Sequence, residues 1–405
     1  MQFKKVLYLP LLLFIVASCG GGGQSVLPSS ESTSSEPEPL TTSQIVTSED
    51  PTSEEIPGET IQDTFHNPVH VVNSNNQPYA GEVADPSIVR DGADFYIYAT
   101  NDVILRSEDA CHWKYYGRTG AKWQWARDTY PDTGYALWAP DCIKINDYWY
   151  YYYSISNMSG GNPGIGYMVG ESPVGPWLEE RKLFFGTELS PVVRNCIDPH
   201  IFVDDDGCIY VTVGSFQGIY IIELEEDDGV LDVVGAPTLI AGRGTNNWEA
   251  SQFEGSYIIK KGEYYYYFGS HGTCCKSQGK DPTELTYQVA VGRSKNILGP
   301  YVDKNANRLL DSNGGVYTGT LCLTGDASRE IYAPGHNSIF LDDAGDYWIY
   351  YHAYVPSDNL FTRHLMMDKL EWDNKGFPYI DGAGKCLSSY GEDLEGPVIF
   401  NPDEI

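Results

Sequence analysis

An all-β, five-bladed β-propeller is the fold that three features of this 405-residue chain predict. Five segments repeat one pattern at similar spacing along the body. Each has an apolar residue at its fourth position, then a Gly, Asp or Asn turn, then an aromatic strand that ends near Ser, Thr or His. The composition, with 31 Tyr, 42 Gly and 24 Pro, suits short strands joined by many turns rather than long helices.

The first 19 residues read as a targeting segment. Lys4 and Lys5 precede the apolar run VLYLPLLLFIVA, which ends at Ser18 and Cys19 before four glycines. VASCG resembles the lipobox of bacterial lipoproteins, which implies that Cys19 carries the lipid of the mature chain; the alternative is an ordinary secretory signal with an incidental cysteine and a secreted protein. Residues 20–60 are mostly Ser, Thr, Glu, Pro and Gly. Such a stretch buries too little apolar surface to offset the entropy of ordering, so it reads as a flexible tether. The propeller is expected over residues 61–392, followed by a tail at 393–405.

The five repeats are DPSIVRDGADFYIYAT from Asp85, PDCIKINDYWYYYYS from Pro140, DPHIFVDDDGCIYVTVGS from Asp198, EGSYIIKKGEYYYYFGS from Glu254 and HNSIFLDDAGDYWIYYHAY from His336. Their first positions lie 55, 58, 56 and 82 residues apart, so the last gap carries an insertion. The apolar fourth positions are Ile88, Ile143, Ile201, Tyr257 and Ile339. Four strands per unit, repeated five times, make five blades around a channel.

In a propeller the innermost strands line the axis, so the first positions converge. That gathers Asp85, Asp198, Glu254 and His336 at one mouth, with Pro140 as a structural fifth. Crowded carboxyls favour the protonated form, and a carboxylic acid that keeps its proton near neutral pH can act as a general acid. A proton donor paired with an ionised carboxylate is what hydrolysis of a glycosidic bond requires. The same set offers ligands for one ion on the axis near His336, although no EF-hand loop is present. His352, at a strand end, lacks this register and reads as a core or surface histidine.

Formal charge is −30, from 26 Lys and Arg against 56 Asp and Glu, which argues against nucleic acid or an anionic membrane surface as partner. Nine cysteines include eight in the body, without the CxxC spacing of a structural zinc site. Their pairing is not legible, and adjacent Cys274 and Cys275 either form a vicinal bridge or stay reduced.

Taken in order, ADPSIVRDGADFYIYAT, LWAPDCIKINDYWYYYYSIS, NCIDPHIFVDDDGCIYVTVGSF, FEGSYIIKKGEYYYYFGS and APGHNSIFLDDAGDYWIYYHAY resemble glycoside hydrolase family 43 along nearly all of residues 62–390. CCKS, VGRSKNILGPYVDKN, GHNSIF and YHAY are similar to its endo-1,5-α-L-arabinanases. The resemblance implies an inverting hydrolase with Asp85 as general base, Glu254 as general acid, and Asp198 raising and orienting the acid. It implies substrate contacts at Trp138, Asn195, Ser215 and Phe216, and a calcium ion held near His336 through water. It also implies arabinan as partner and no organic cofactor; the chain is expected to be a monomer that meets the membrane only through the N-terminal lipid.

Two segments depart from the family. The acid lies in Glu-Gly-Ser rather than Glu-Ala-Pro, with Glu249 of WEAS as a rival carboxylate outside the repeat register. Ser270-His271-Gly272 replaces an aromatic stretch before the two cysteines. Alternatives are an exo-acting arabinofuranosidase or β-xylosidase of the same family, and a propeller that binds polysaccharide without cutting it.

Overall fold

In a computed structural model, the structure describes residues 60–400 except 130–135, 157–161, 244–251, 276–279, 313–316, 356–361, 381–385, 390 and 392. The targeting segment with Cys19, nearly all of the tether, and Glu249 lie outside the described residues. Five blades follow one another, as the repeat predicts, antiparallel except where Val71–Val72 joins the outer edge of the first in parallel. Their innermost strands are Ser87–Asp91, Ala136–Ile145, His200–Val203, Glu254–Lys261 and Tyr332–Leu341. Each of these packs against the innermost strand of the next blade, and the fifth packs against the first, which closes the ring.

Among the described residues the hydrophobic core falls mainly into five portions, one between each pair of adjacent blades, with a small sixth cluster of Leu285, Tyr287, Ala333 and Tyr354. Strand alternation explains the tyrosine runs, because successive side chains point to opposite faces. In Tyr148–Ser156 of blade 2, Tyr150 and Tyr152 pack with Ile201, Val211 and Ile222 of blade 3. Tyr151 and Tyr153 point the other way, into the core shared with Tyr98 and Ile104 of blade 1. All four rings are fully buried, and each contributes roughly 1.5–3 kcal/mol of burial free energy on the scale of large apolar side chains.

Residues 393–400, expected to trail from the domain, instead carry two short strands. Leu394–Glu395 pairs with Thr64–Phe65, and Ile399–Phe400 pairs with Thr60–Ile61. Phe65 and Ile399 are buried in the core between blades 1 and 5, so both ends of the domain help to seal the ring where it closes. Strands of two residues have no periodicity to read, which is why this pairing was not legible. Of the described cysteines, Cys274 and Cys275 are bridged to each other, and the other six are free thiols.

Candidate active site

Each inner strand has a backbone kink just before it or within its first half. Asp85, Ala139, Asp198, Gly255 and His336 all have φ between 39° and 59°, the left-handed region that costs a side-chain-bearing residue about 1–2 kcal/mol. Register therefore coincides with the predicted first positions in three blades, and Pro140 and Glu254 each sit one residue away. Blade 4 uses glycine at the kink for a steric reason. A Cβ on Gly255 would lie 2.9 Å from the His336 ring.

The second strand of a blade ends in a group that receives the N–H of the next blade's kink residue. Thr100 Oγ1 accepts from Ala139 N at 2.8 Å, Ser154 Oγ from Asp198 N at 3.4 Å, and Ser270 Oγ from His336 N at 2.8 Å. His352 Nδ1 accepts from Asp85 N at 3.1 Å, which completes the circuit. The remaining junction differs: Gly255 N donates to Asp198 Oδ2 at 3.2 Å, so a site carboxylate serves as the link. This pattern is the physical content of the Ser, Thr or His seen at the strand ends.

Asp85, Asp198, Glu254 and His336 do come together. Asp85 Oδ1 lies 3.2 Å from His336 Nδ1, 3.2 Å from His352 Nδ1 and 3.6 Å from Arg363 Nη1, and Oδ2 accepts from Thr100. Burial opposes ionisation of Asp85, but attraction to His336, Arg363 and His352 outweighs it and holds the carboxyl well below its ordinary 3.8. His336 is itself pushed down to about 4 by burial, and His352 is lowered by burial too. Arg363 is the partner of Asp85 whose positive charge does not depend on pH in the working range, and it also pairs with Glu82 at 2.8 Å.

Glu254 experiences the opposite balance. Burial pushes it up to about 7, while hydrogen bonds from Ser215 and Tyr287 pull downward and the Asp85 charge adds to the rise. Ser215 Oγ donates to Glu254 Oε2 at 2.8 Å. Asp198 is raised well above its ordinary value by burial first, then by repulsion from Glu254 and Asp85. Burial, more than like charge, is thus what keeps the proton on Glu254. Asn195 Nδ2 donates to the Ser215 carbonyl at 3.0 Å, and Phe216 N donates to Phe253 O at 2.9 Å, so these residues are tied to the segment that carries Glu254. Half-buried Trp138 precedes Ala139, which Thr100 ties to the Asp85 side.

Four participants escaped the sequence reading. His352, taken for a core or surface histidine, is completely buried and faces Asp85, with its Nε2 lacking a partner among the described residues. Its place at a strand end, where other blades carry Thr or Ser, was the available signal. Arg363, Glu82 and Tyr287 have no counterpart in the repeat and gave none.

Among the described residues, His336 suits the role of an ion ligand. Its ring is neutral, its Nδ1 faces Asp85, and its Nε2 has no hydrogen-bond partner among them, so a lone pair is available. Asn337 beside it is buried with neither amide atom partnered among the described residues.

Residues 75–378 match the glycosyl hydrolases family 43. The chain is 31% identical over 335 residues to the extracellular exo-alpha-(1->5)-L-arabinofuranosidase ArbA of Cellvibrio japonicus, covering 76% of this chain and 88% of that one. It is 30% identical over 305 residues to the extracellular endo-alpha-(1->5)-L-arabinanase 1 of Bacillus subtilis, covering 73% and 86%. In structure it is similar to the Cellvibrio cellulosa alpha-L-arabinanase complexed with arabinohexaose, with a TM-score of 0.63, 31% identity, and coverage of 75% and 96%. A match that takes in all five blades, together with this arrangement of carboxyls, leads to one conclusion: the chain belongs to glycoside hydrolase family 43.

Proposed function

We propose that the protein is an extracytoplasmic endo-arabinanase that hydrolyses α-1,5-linked L-arabinan with inversion and works as a monomer. One observation carries the chemistry: two buried carboxyls at one mouth have opposite protonation preferences, Glu254 toward the acid and Asp85 toward the carboxylate. The arabinanase names of the relatives support the substrate, and the word extracellular in several of them supports the location.

Glu254 gives its proton to the glycosidic oxygen as the bond to the anomeric carbon breaks. Asp85 takes a proton from a water whose oxygen attacks that carbon from the opposite face. Asp198, bonded to Gly255 N, orients the strand that carries the acid. The sugar leaves with its anomeric configuration reversed, which requires the two carboxyls to stand about 6.5–9.5 Å apart. Trp138, Asn195, Ser215 and Phe216 line the sugar groove in this reading.

Linear arabinan separates the two modes of cutting. A ladder of oligomers at early times, each with an inverted anomeric centre by proton NMR, is expected. Arabinose alone from the first time point would establish the exo-acting reading, which the name of the Cellvibrio japonicus relative favours. Binding of arabinan or xylan without turnover would leave a sugar-binding propeller.

His336 would hold a calcium ion on the axis, with water completing the oxygen-rich shell that calcium prefers. Bound there, calcium would add positive charge beside Asp85. Elemental analysis should find about one calcium per chain in the wild type and a marked loss in His336→Ala; equal content in both would remove His336 as ligand. At the other end of the chain, Cys19 carries the lipid anchor in this reading. Cys19→Ser should move the protein from the membrane fraction to the soluble fraction, and a variant that stays in the membrane would refute the anchor.

A further inference from the structure

The Cys274–Cys275 bridge lies beside the proton donor's blade, three residues beyond the strand Tyr264–His271. It is the sole disulfide among the described residues, and both of its cysteines are partly exposed. Its segment is anchored to the residue before Tyr287: Thr273 N donates to Thr286 Oγ1 at 3.1 Å, and Thr286 N donates to Thr273 O at 3.2 Å. Cys274 then packs against a small apolar cluster made of Leu285, Tyr287, Ala333 and Tyr354.

Tyr287 is the member of that cluster that reaches the chemistry. Its hydroxyl acts on Glu254, favouring the ionised carboxyl, and its ring stacks on His352 at 5.9 Å with 9° between the planes. It thus spans the acid on one side and the histidine facing the base on the other. The ring is held tightly: a Cβ on Gly335 would fall 2.3 Å from it. Blade 5 confines one side of the ring, and the cluster against which the bridge packs confines another.

We propose that the Cys274–Cys275 disulfide is a positioning element for catalysis, which braces Tyr287 against Glu254 so that full activity requires the bridge to stay oxidised. The inference rests on Glu254 being the proton donor. Two linked sulfurs present a fixed apolar ledge to the cluster, whereas two separate thiols can rotate independently. A released Tyr287 gives up its hold on Glu254, an influence that favours the ionised carboxyl. Ser215, Asp85 and Arg363 also act on Glu254, and Glu254 acts on Asp198; none of the four belongs to the cluster against which Cys274 packs.

The test is reduction of the whole wild-type protein by a water-soluble phosphine. The phosphine supplies the electron pair, takes up oxygen from water as its oxide, and leaves two thiols. Most competing cysteines are buried free thiols, and the phosphine has no other bridge among the described residues to act on. On arabinan, reduction should lower kcat roughly ten- to hundredfold, the scale on which small misplacements act, with KM little changed. The alkaline limb of the pH profile should move up by about one unit, as for loss of one hydrogen bond to a carboxylate.

Tyr287→Phe should reproduce that shift in the oxidised protein, and reducing this variant should add nothing further. Reoxidation should restore the wild type. An unchanged rate and limb after reduction would overturn the proposal, as would a uniform loss at every pH or effects of reduction and Tyr287→Phe that multiply. If the wild type cuts no arabinan in either redox state, the catalytic reading itself fails. Carbon NMR titration of Glu254, assigned against Glu254→Gln, reads the brace without any substrate: an unmoved titration on reduction refutes it.

Discussion

Glu254→Gln is expected to lower kcat on linear arabinan about 10³-fold at mildly acidic pH, the scale of a lost general acid. Glutamine keeps the shape of the side chain and can still accept from Ser215, but it has no proton to transfer. The loss should therefore depend on the leaving group. An aryl arabinofuranoside whose phenolate departs without help should suffer far less than arabinan. A loss of equal size on both substrates, or no loss, would transfer the role elsewhere, with Glu249 the next carboxylate to test.

The same variant has a pH signature. With Glu254 as the proposed proton donor, whose carboxyl is raised from 4.5 to about 7, wild-type activity is expected to fall as pH rises through about 7. The variant should lack that limb. Stability follows with its own sign. The folded state holds this proton to higher pH than the unfolded chain does, so the contribution is fully present below the unfolded value and is lost as pH rises through the folded one. Glu254→Gln escapes that loss, and its Tm relative to wild type should improve as pH is raised from acid toward neutral and beyond.

Asp85→Asn should be at least as damaging, with about 10³- to 10⁴-fold lower kcat, but without dependence on the leaving group. Activation of water is needed whether or not the departing oxygen is protonated, so arabinan and the aryl glycoside should lose activity alike. The fold should survive, because Arg363 keeps its bond to Glu82 and the amide can still accept from Thr100. Circular dichroism would confirm this. Wild-type turnover by Asp85→Asn on either substrate would dismiss Asp85 as the base.

Much of this site could be read from the chain because a propeller turns sequence repetition into convergence on an axis. Asp85, Asp198 and His336 are spelled out at one position of a repeat, and the structure gives them the same left-handed backbone. Glu254 is displaced by one residue because Gly255 occupies the kink, a difference that equal spacing conceals. His352 was visible but misjudged: its repeat position is that of Thr100, Ser154 and Ser270, and only the hydrogen bond to the next blade gives that position meaning. Tyr287 was hidden by abundance, as one of 31 tyrosines that mostly fill the spaces between blades. Arg363 begins an outer strand, and its approach to Asp85 follows from ring closure across nearly the whole domain. The paired termini lacked any pattern long enough to detect.

The division of the core into five shared portions has a consequence for the newly made chain. Each blade holds half of two cores, so no blade has a complete hydrophobic interior until both neighbours are in place. The portion between blades 1 and 5 joins residues from opposite ends of the sequence, and contacts of such separation form late because they require the largest loop to close. That step also delivers His336, His352 and Arg363 to Asp85. A nascent chain emerging N-terminus first therefore carries Asp85 without these partners until the fifth blade arrives, and hydrolytic competence should arise together with cooperative folding rather than build up blade by blade.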